Sequence, residues 1–219
     1  MTIKLYGVAL SNYYCMAKLS LMEKKIDFQE VQSNPSQEAD YLSKSPMGKV
    51  PCIETAKGFL AETHVIMDYL EDIEPSPALY PSDPFDKATA RQAISICELY
   101  IELAARRHVG FVLFGAPRSA EAMEQVRPSV ESGLRGFART AKLDPYVCGA
   151  DFGFADIFAY YTFALAGMVM QAVYDWDIVA EVPGLEACLE LTRQRETTRQ
   201  CDTARQAAIA AYQARSQQR

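Results

Sequence analysis

The stretch SPMGKVPCIETAKGFLAETHVIMDYLED, residues 45–72, decides the fold. Two short apolar runs flank Ala56-Lys57-Gly58, and a helical pattern follows. Gly58 suits a tight turn, so KVPCIETAKGFLAE reads as an antiparallel hairpin. Pro51 cannot donate to a ladder. It belongs at a sheet edge, or in a cis Val50–Pro51 bond that turns the Val50 amide and carbonyl outward toward a peptide-like ligand. THVIMDYLEDI, directly after Glu62, predicts a helix with Val65, Ile66, Tyr69, Leu70 and Ile73 facing inward.

Working outward, TIKLYG (2–7) alternates as a half-buried strand, and IDFQEVQ (26–32) reads as a second. Between them, NYYCMAKLSLMEKK sets Met16, Leu19 and Met22 at helical spacing, with lysines at the C-terminal end. One crossover helix makes these strands parallel and the connection right-handed. SQEADYLSKS adds a short helix before Pro46. The order is βαβαββα. EPSPALYPSDPF (74–85) then carries four prolines in twelve residues, which neither helix nor strand can cross. Beyond it strand signals vanish, and DKATARQAISICELYIELAARRHVGFVLFG (86–115) opens a series of helical patterns. The expected fold class is α/β plus all-α: a mixed domain over 1–77 and a helical domain over 85–219. The Gln/Arg/Ala-rich last turn is expected to fray.

Composition narrows the function classes. The 219 residues are 49% hydrophobic and 23% charged, which suits an ordinary globular core. A net charge of -6 disfavours nucleic acid as a partner, since phosphate binding needs a basic face. FADIFAYYTFALAGMVMQAV, the longest apolar stretch, is interrupted by Asp156 and rich in tyrosine. It reads as a buried helix and not a membrane span. The first ten residues read as a strand, not a signal peptide. Six cysteines without a CxxC pair point to reduced thiols in a cytoplasm. Only His64 and His108 are present, so no metal site is expected.

Glu62-Thr63 heads the third helix. An acid and a hydroxyl there cap orphan amides. Alternatively the helix N-terminus binds a ligand carboxylate while Glu62 pairs with a ligand ammonium. An α-amino acid end-group carries both charges on adjacent atoms.

Taken together, SPMGKVP, AETHVIMDYLE and the later CGADFGFADIF resemble motifs of the cytosolic glutathione transferase family, and the likeness spans nearly the whole chain. The resemblance implies a thioredoxin-like first domain with glutathione as co-substrate. Val50 would bond the cysteinyl unit, Glu62 and Thr63 the γ-glutamyl end, and Lys49 the glycine carboxylate. Thr63 stands where the family usually has Ser, and either offers a hydroxyl. Gly153 replaces the usual Ser/Thr cap three residues before Asp156, whose carboxylate can still reach the Gly153 N–H. The resemblance also implies a two-fold homodimer. For that contact, Met67 and Asp68 lie outside the expected inward face of the third helix, and Arg91, Ile94 and Ile96 lie on the fourth.

A free thiol titrates near 8.5, so glutathione must be activated by a donor at the positive end of a helix. Ser11 leads the candidates, because ALSNYYC sets Ser11 or Asn12 at the first helix N-cap. Tyr6, at the end of strand one, Cys15, inside the helix, and a site that uses main-chain groups alone are the alternatives. Tyr13 and Tyr14 are candidates for the cleft lining. The small hydrophobic electrophile is expected between the domains, near some of Tyr100, Arg107, His108, Phe111 and Phe114; Trp176 is expected to be structural. The expected activity is that of a serine-type glutathione transferase. Its rivals are a maleylacetoacetate-type isomerase, weakened because the Ser-Ser-Cys signature reads Ser11-Asn12-Tyr13, and a non-catalytic binding protein of the same fold.

Overall fold

The structure, a computed structural model, describes residues 2–216. Four strands, β1 (Ile3–Gly7), β2 (Phe28–Gln32), β3 (Cys52–Thr55) and β4 (Gly58–Ala61), form one sheet in the order β2-β1-β3-β4. β1 runs parallel to β2 and antiparallel to β3, and β3–β4 is the hairpin around Ala56 and Lys57. Helix α1 (Asn12–Glu23) bridges the parallel pair, α2 (Ala39–Leu42) precedes the hairpin, and α3 (Thr63–Ile73) follows it. This is the expected thioredoxin-like βαβαββα order. Leu5 and Ile53 are fully buried, as are Met16 and Leu19 of α1.

The buried face of α3 differs from the expected stripe. Thr63, Ile66, Met67, Leu70 and Glu71 are buried, whereas Val65 is 40% and Ile73 46% exposed. The cause is Glu71, which turns inward because the buried Lys24 at the end of α1 waits for it. Met67 is therefore core, not interface.

The remaining helices are α4 (Pro84–Ile96), α5 (Leu103–Arg106), α6 (Val109–Phe114), α7 (Ala120–Thr140), α8 (Phe154–Tyr174), α9 (Leu185–Gln194) and α10 (Glu196–Ser216). Asp83 caps α4, accepting from the amides of Phe85 and Asp86. The single helix expected over 86–115 is broken. A π-helical segment spans Cys97–Glu102, and the chain breaks again at Arg107 and His108. The π segment lies so close to α7 that a Cβ on Gly133 would sit 2.7 Å from Ile101 Cγ1. The second break lets His108 turn inward to Tyr174 of α8, Nε2 to hydroxyl 2.8 Å. Helix α8 is apolar and long enough to cross a membrane, yet two thirds of its most apolar window is buried in the protein, as a core helix would be. At its start the Asp156 carboxylate accepts from the amides of Val147 (2.7 Å) and Gly153 (2.8 Å), so the helix is capped despite Gly153.

The chain forms two compact units. One comprises residues up to Leu79 together with those from Gln194 onward, and the other comprises Tyr80–Arg193. Helix α10 thus belongs with the sheet, packed on α1. Arg195 forms a two-pronged ion pair with Glu23, and the Cys201 thiol points at the Cys15 carbonyl. The expected fraying concerns 217–219, which lie outside the described residues.

Candidate active site

β1 ends at Gly7, whose φ of 155° and close neighbour leave no room for a side chain: a Cβ there would lie 2.4 Å from the Tyr14 ring. The chain then turns through Val8, Ala9 and Leu10 into α1. Ser11 is the N-cap in extended conformation, and Asn12 is the first helical residue, buried. The Ser11 hydroxyl accepts from the Tyr14 amide at 3.3 Å. A serine oxygen that accepts one N–H still has its own O–H to donate. That proton sits at the positive end of a twelve-residue helix.

The two side-chain alternatives are otherwise engaged. Tyr6 donates to Glu54 Oε2 at 2.5 Å, and that bond, with burial second, pushes its phenol up to about 12. Cys15 is fully buried and its thiol donates to the Ala9 carbonyl at 3.3 Å. Hydrogen bonding with Cys201, and then burial, drives its titration upward, opposite to what a thiolate needs. Tyr14 is core and donates to Glu30. Glu54 and Glu30 escaped the sequence reading. Only the β1–β3 register, which pairs Lys4 with Glu54 and Tyr6 with Cys52, sets Glu54 diagonal to the phenol on one face.

At the other helix head, Glu62 is the N-cap of α3 with φ 66° and ψ 117°, a left-handed conformation uncommon for a side-chain-bearing residue. Its carboxylate makes no capping hydrogen bond and is exposed, while Thr63 behind it is buried. The Val50–Pro51 bond is cis. Val50 is half-buried and Lys49 exposed, with its carbonyl accepting from Tyr41 at 3.1 Å.

In the second unit His108 is 1% exposed, so it is a core histidine and not part of a pocket lining. Burial, and then the charges of Arg107 and Arg118, lower its titration. Arg107 bonds Gln125 and Glu121, Arg118 lies over Phe111, and Tyr100 and Phe114 are half or more exposed. Trp176 donates to Glu181 and stacks under Arg127, a structural role.

A four-stranded mixed sheet with two helix N-termini, followed in the chain by a helical unit, defines a thioredoxin-like fold in a protein of two units. Residues 5–78 match the family model described as glutathione S-transferase, N-terminal domain. The chain is 36% identical to a glutathione S-transferase of Pseudomonas putida over 210 residues, 96% of each chain. It is similar to glutathione transferase F2 from Populus trichocarpa (TM-score 0.79, 19% identity), covering 94% of this chain and 99% of that one. A Methylobacterium radiotolerans glutathione S-transferase in complex with glutathione sulfonate superposes with TM-score 0.73 at 24% identity, over 92% of this chain and 94% of that one. The chain belongs to the glutathione S-transferase family.

Proposed function

We propose that this glutathione transferase is of the serine type, with Ser11 donating to the sulfur of glutathione. The observation that carries the reading is the Ser11 hydroxyl itself. It accepts the Tyr14 amide and keeps a proton to give, at the head of α1. A donor and a helix N-terminus next to sulfur favour the thiolate over the thiol. Glutathione is the co-substrate. Its γ-glutamyl carboxylate meets Thr63 and the α3 N-terminus, its ammonium meets Glu62, its cysteinyl unit bonds the Val50 backbone, and its glycine carboxylate meets Lys49.

The thiolate then attacks an electrophilic carbon of a small hydrophobic co-substrate. A C–S bond forms, and the displaced group leaves with its electron pair. The protein contributes thiol ionisation and proximity. The isomerase reading is weaker because Asn12 is buried at the position where that signature has its second serine.

The protein works as a homodimer in a reducing cytoplasm, without nucleic acid or a membrane as partner. Six free cysteines and a net charge of -6 support the setting. Exposed apolar groups support association: Val65 and Ile73 on α3, and Phe85, 79% exposed, on α4.

Ultraviolet absorbance of the bound thiolate against pH tests the reading. Ser11→Ala should move the apparent thiol titration upward with a much smaller change in glutathione affinity. Loss of the thiolate signal in Tyr6→Phe but not in Ser11→Ala would overturn it.

A further inference from the structure

Three successive carbonyls lead up to Val50, and each is held by the stretch that carries α2. The Met47 carbonyl accepts from the Gln37 side-chain amide at 3.3 Å, that of Gly48 from the Ser36 backbone N–H at 3.0 Å, and that of Lys49 from the Tyr41 hydroxyl at 3.1 Å. The approach is close. A Cβ on Gly48, at φ 65°, would lie 2.3 Å from the Ser36 carbonyl oxygen. Of the three donor residues only Tyr41 is buried, and it is the one residue that α2 buries.

Ring packing alone does not explain the hydroxyl, because a phenylalanine would fill the same space with nothing polar to desolvate. The hydroxyl is also a committed donor. Burial, and then Cys52, push its titration up to about 12, so it keeps its proton at neutral pH. What its bond does follows from the peptide it grips. The Lys49 carbonyl and the Val50 N–H belong to one planar trans unit, in which they point to opposite sides. Tyr41 draws the carbonyl toward α2, so the N–H faces away from α2. Among the described residues no group accepts that N–H, although Val50 is half-buried. A donor on the carbonyl also polarises the shared amide and makes its N–H a stronger donor.

We propose that Tyr41 is a positioning residue for glutathione: through the Lys49 carbonyl it aims the Val50 N–H at the cysteinyl carbonyl before the ligand arrives. This rests on the reading that Val50 bonds the cysteinyl unit, and it adds the residue that sets the geometry of that bond. Tyr41 acts through the backbone alone. A donor already in place needs less ordering when the ligand binds.

Tyr41→Phe keeps the ring and removes the bond. Backbone amide relaxation of the full chain, without glutathione, reads the peptide directly. The Val50 order parameter should fall from the rigid range, about 0.85, toward about 0.6, with the Ile53 amide of β3 unchanged. Calorimetry should then show glutathione binding about tenfold more weakly, the size of effect expected for one well-placed hydrogen bond. Tyr41→Met, which also lacks the hydroxyl and adapts to the same space, should give the same pair of results. A role confined to packing would leave both readings at wild-type values in a variant that melts normally. An unaltered Val50 order parameter, or unaltered glutathione affinity, in a folded variant would overturn the proposal. Absence of glutathione binding in the wild-type chain would instead overturn the cradle reading, and the proposal with it.

Discussion

The Lys24 ammonium lies 2.6 Å from Glu71 Oε2, with the lysine side chain 0% and the glutamate 11% exposed. The lysine also donates to the Pro77 carbonyl at 2.7 Å, and Glu71 accepts the Leu79 amide at 3.2 Å. One buried pair thus ties α1, α3 and the end of the sheet unit together. Glu71→Ala should cost about 3–5 kcal/mol in denaturant unfolding, because it strands a buried charge. Lys24→Met combined with Glu71→Leu should recover most of that loss. Equal destabilisation in the single and double variants would show that the pair acts by shape and not by charge.

Glu62 carries a left-handed backbone and an uncommitted carboxylate, so two substitutions separate its roles. Glu62→Ala removes the proposed counter-ion for the glutathione ammonium and should weaken binding by about 1.5–3 kcal/mol. Glu62→Gly should weaken binding similarly yet raise stability over Glu62→Ala, since glycine accepts φ 66° without strain. Calorimetry and thermal melting of the two variants decide this. Unchanged glutathione affinity in both would remove Glu62 from the cradle.

Asp156 gives stability a pH signature. Burial raises its titration from 3.8 to about 6, although the Val147 and Gly153 amides pull the other way. Below about 4 the folded and unfolded chains both hold the proton. Between about 4 and 6 the unfolded chain has lost it while the folded chain keeps it, so this residue's contribution to stability falls as pH rises. Above that window the difference is constant. Asp156→Asn should flatten the slope between about pH 4 and 6 and cost about 1–3 kcal/mol, because one capping amide loses its acceptor. An unaltered slope in the variant would assign the pH dependence to other groups.

Sedimentation at micromolar concentration tests the dimer. The expected species is twice the 24.4 kDa chain. Val65→Glu or Phe85→Glu should shift it toward the monomer without unfolding it, since both side chains are already open to solvent in the single chain. A species at chain mass that persists on concentration would rule the dimer out.

The sheet unit was legible because its signals are local. Alternation marked β1, the Gly58 turn marked the hairpin, and Glu62-Thr63 marked the head of α3. The α3 core face departs from its local pattern because Glu71 is buried only through Lys24, 47 residues earlier, and nothing nearby in sequence announces that partner. The sequence predicts a continuous helix over 86–115 because no proline interrupts its apolar periodicity. Its breaks follow the tertiary demands of Gly133 and Tyr174. Glu54 and Glu30 needed the strand register, and the placement of α10 needed its distant partner on α1; sequence spacing encodes neither.

That placement also sets the order in which the molecule can be finished. The residues that close over α1 follow the whole second unit in sequence: Arg195 on Glu23 and Cys201 over Cys15. A ribosome releases residues 1–79 long before it releases those. The nascent sheet must therefore wait with α1 uncovered while the second unit is being made, holding apolar surface open to chaperones or to a neighbouring chain. The first unit is closed only by residues made after the whole of the second.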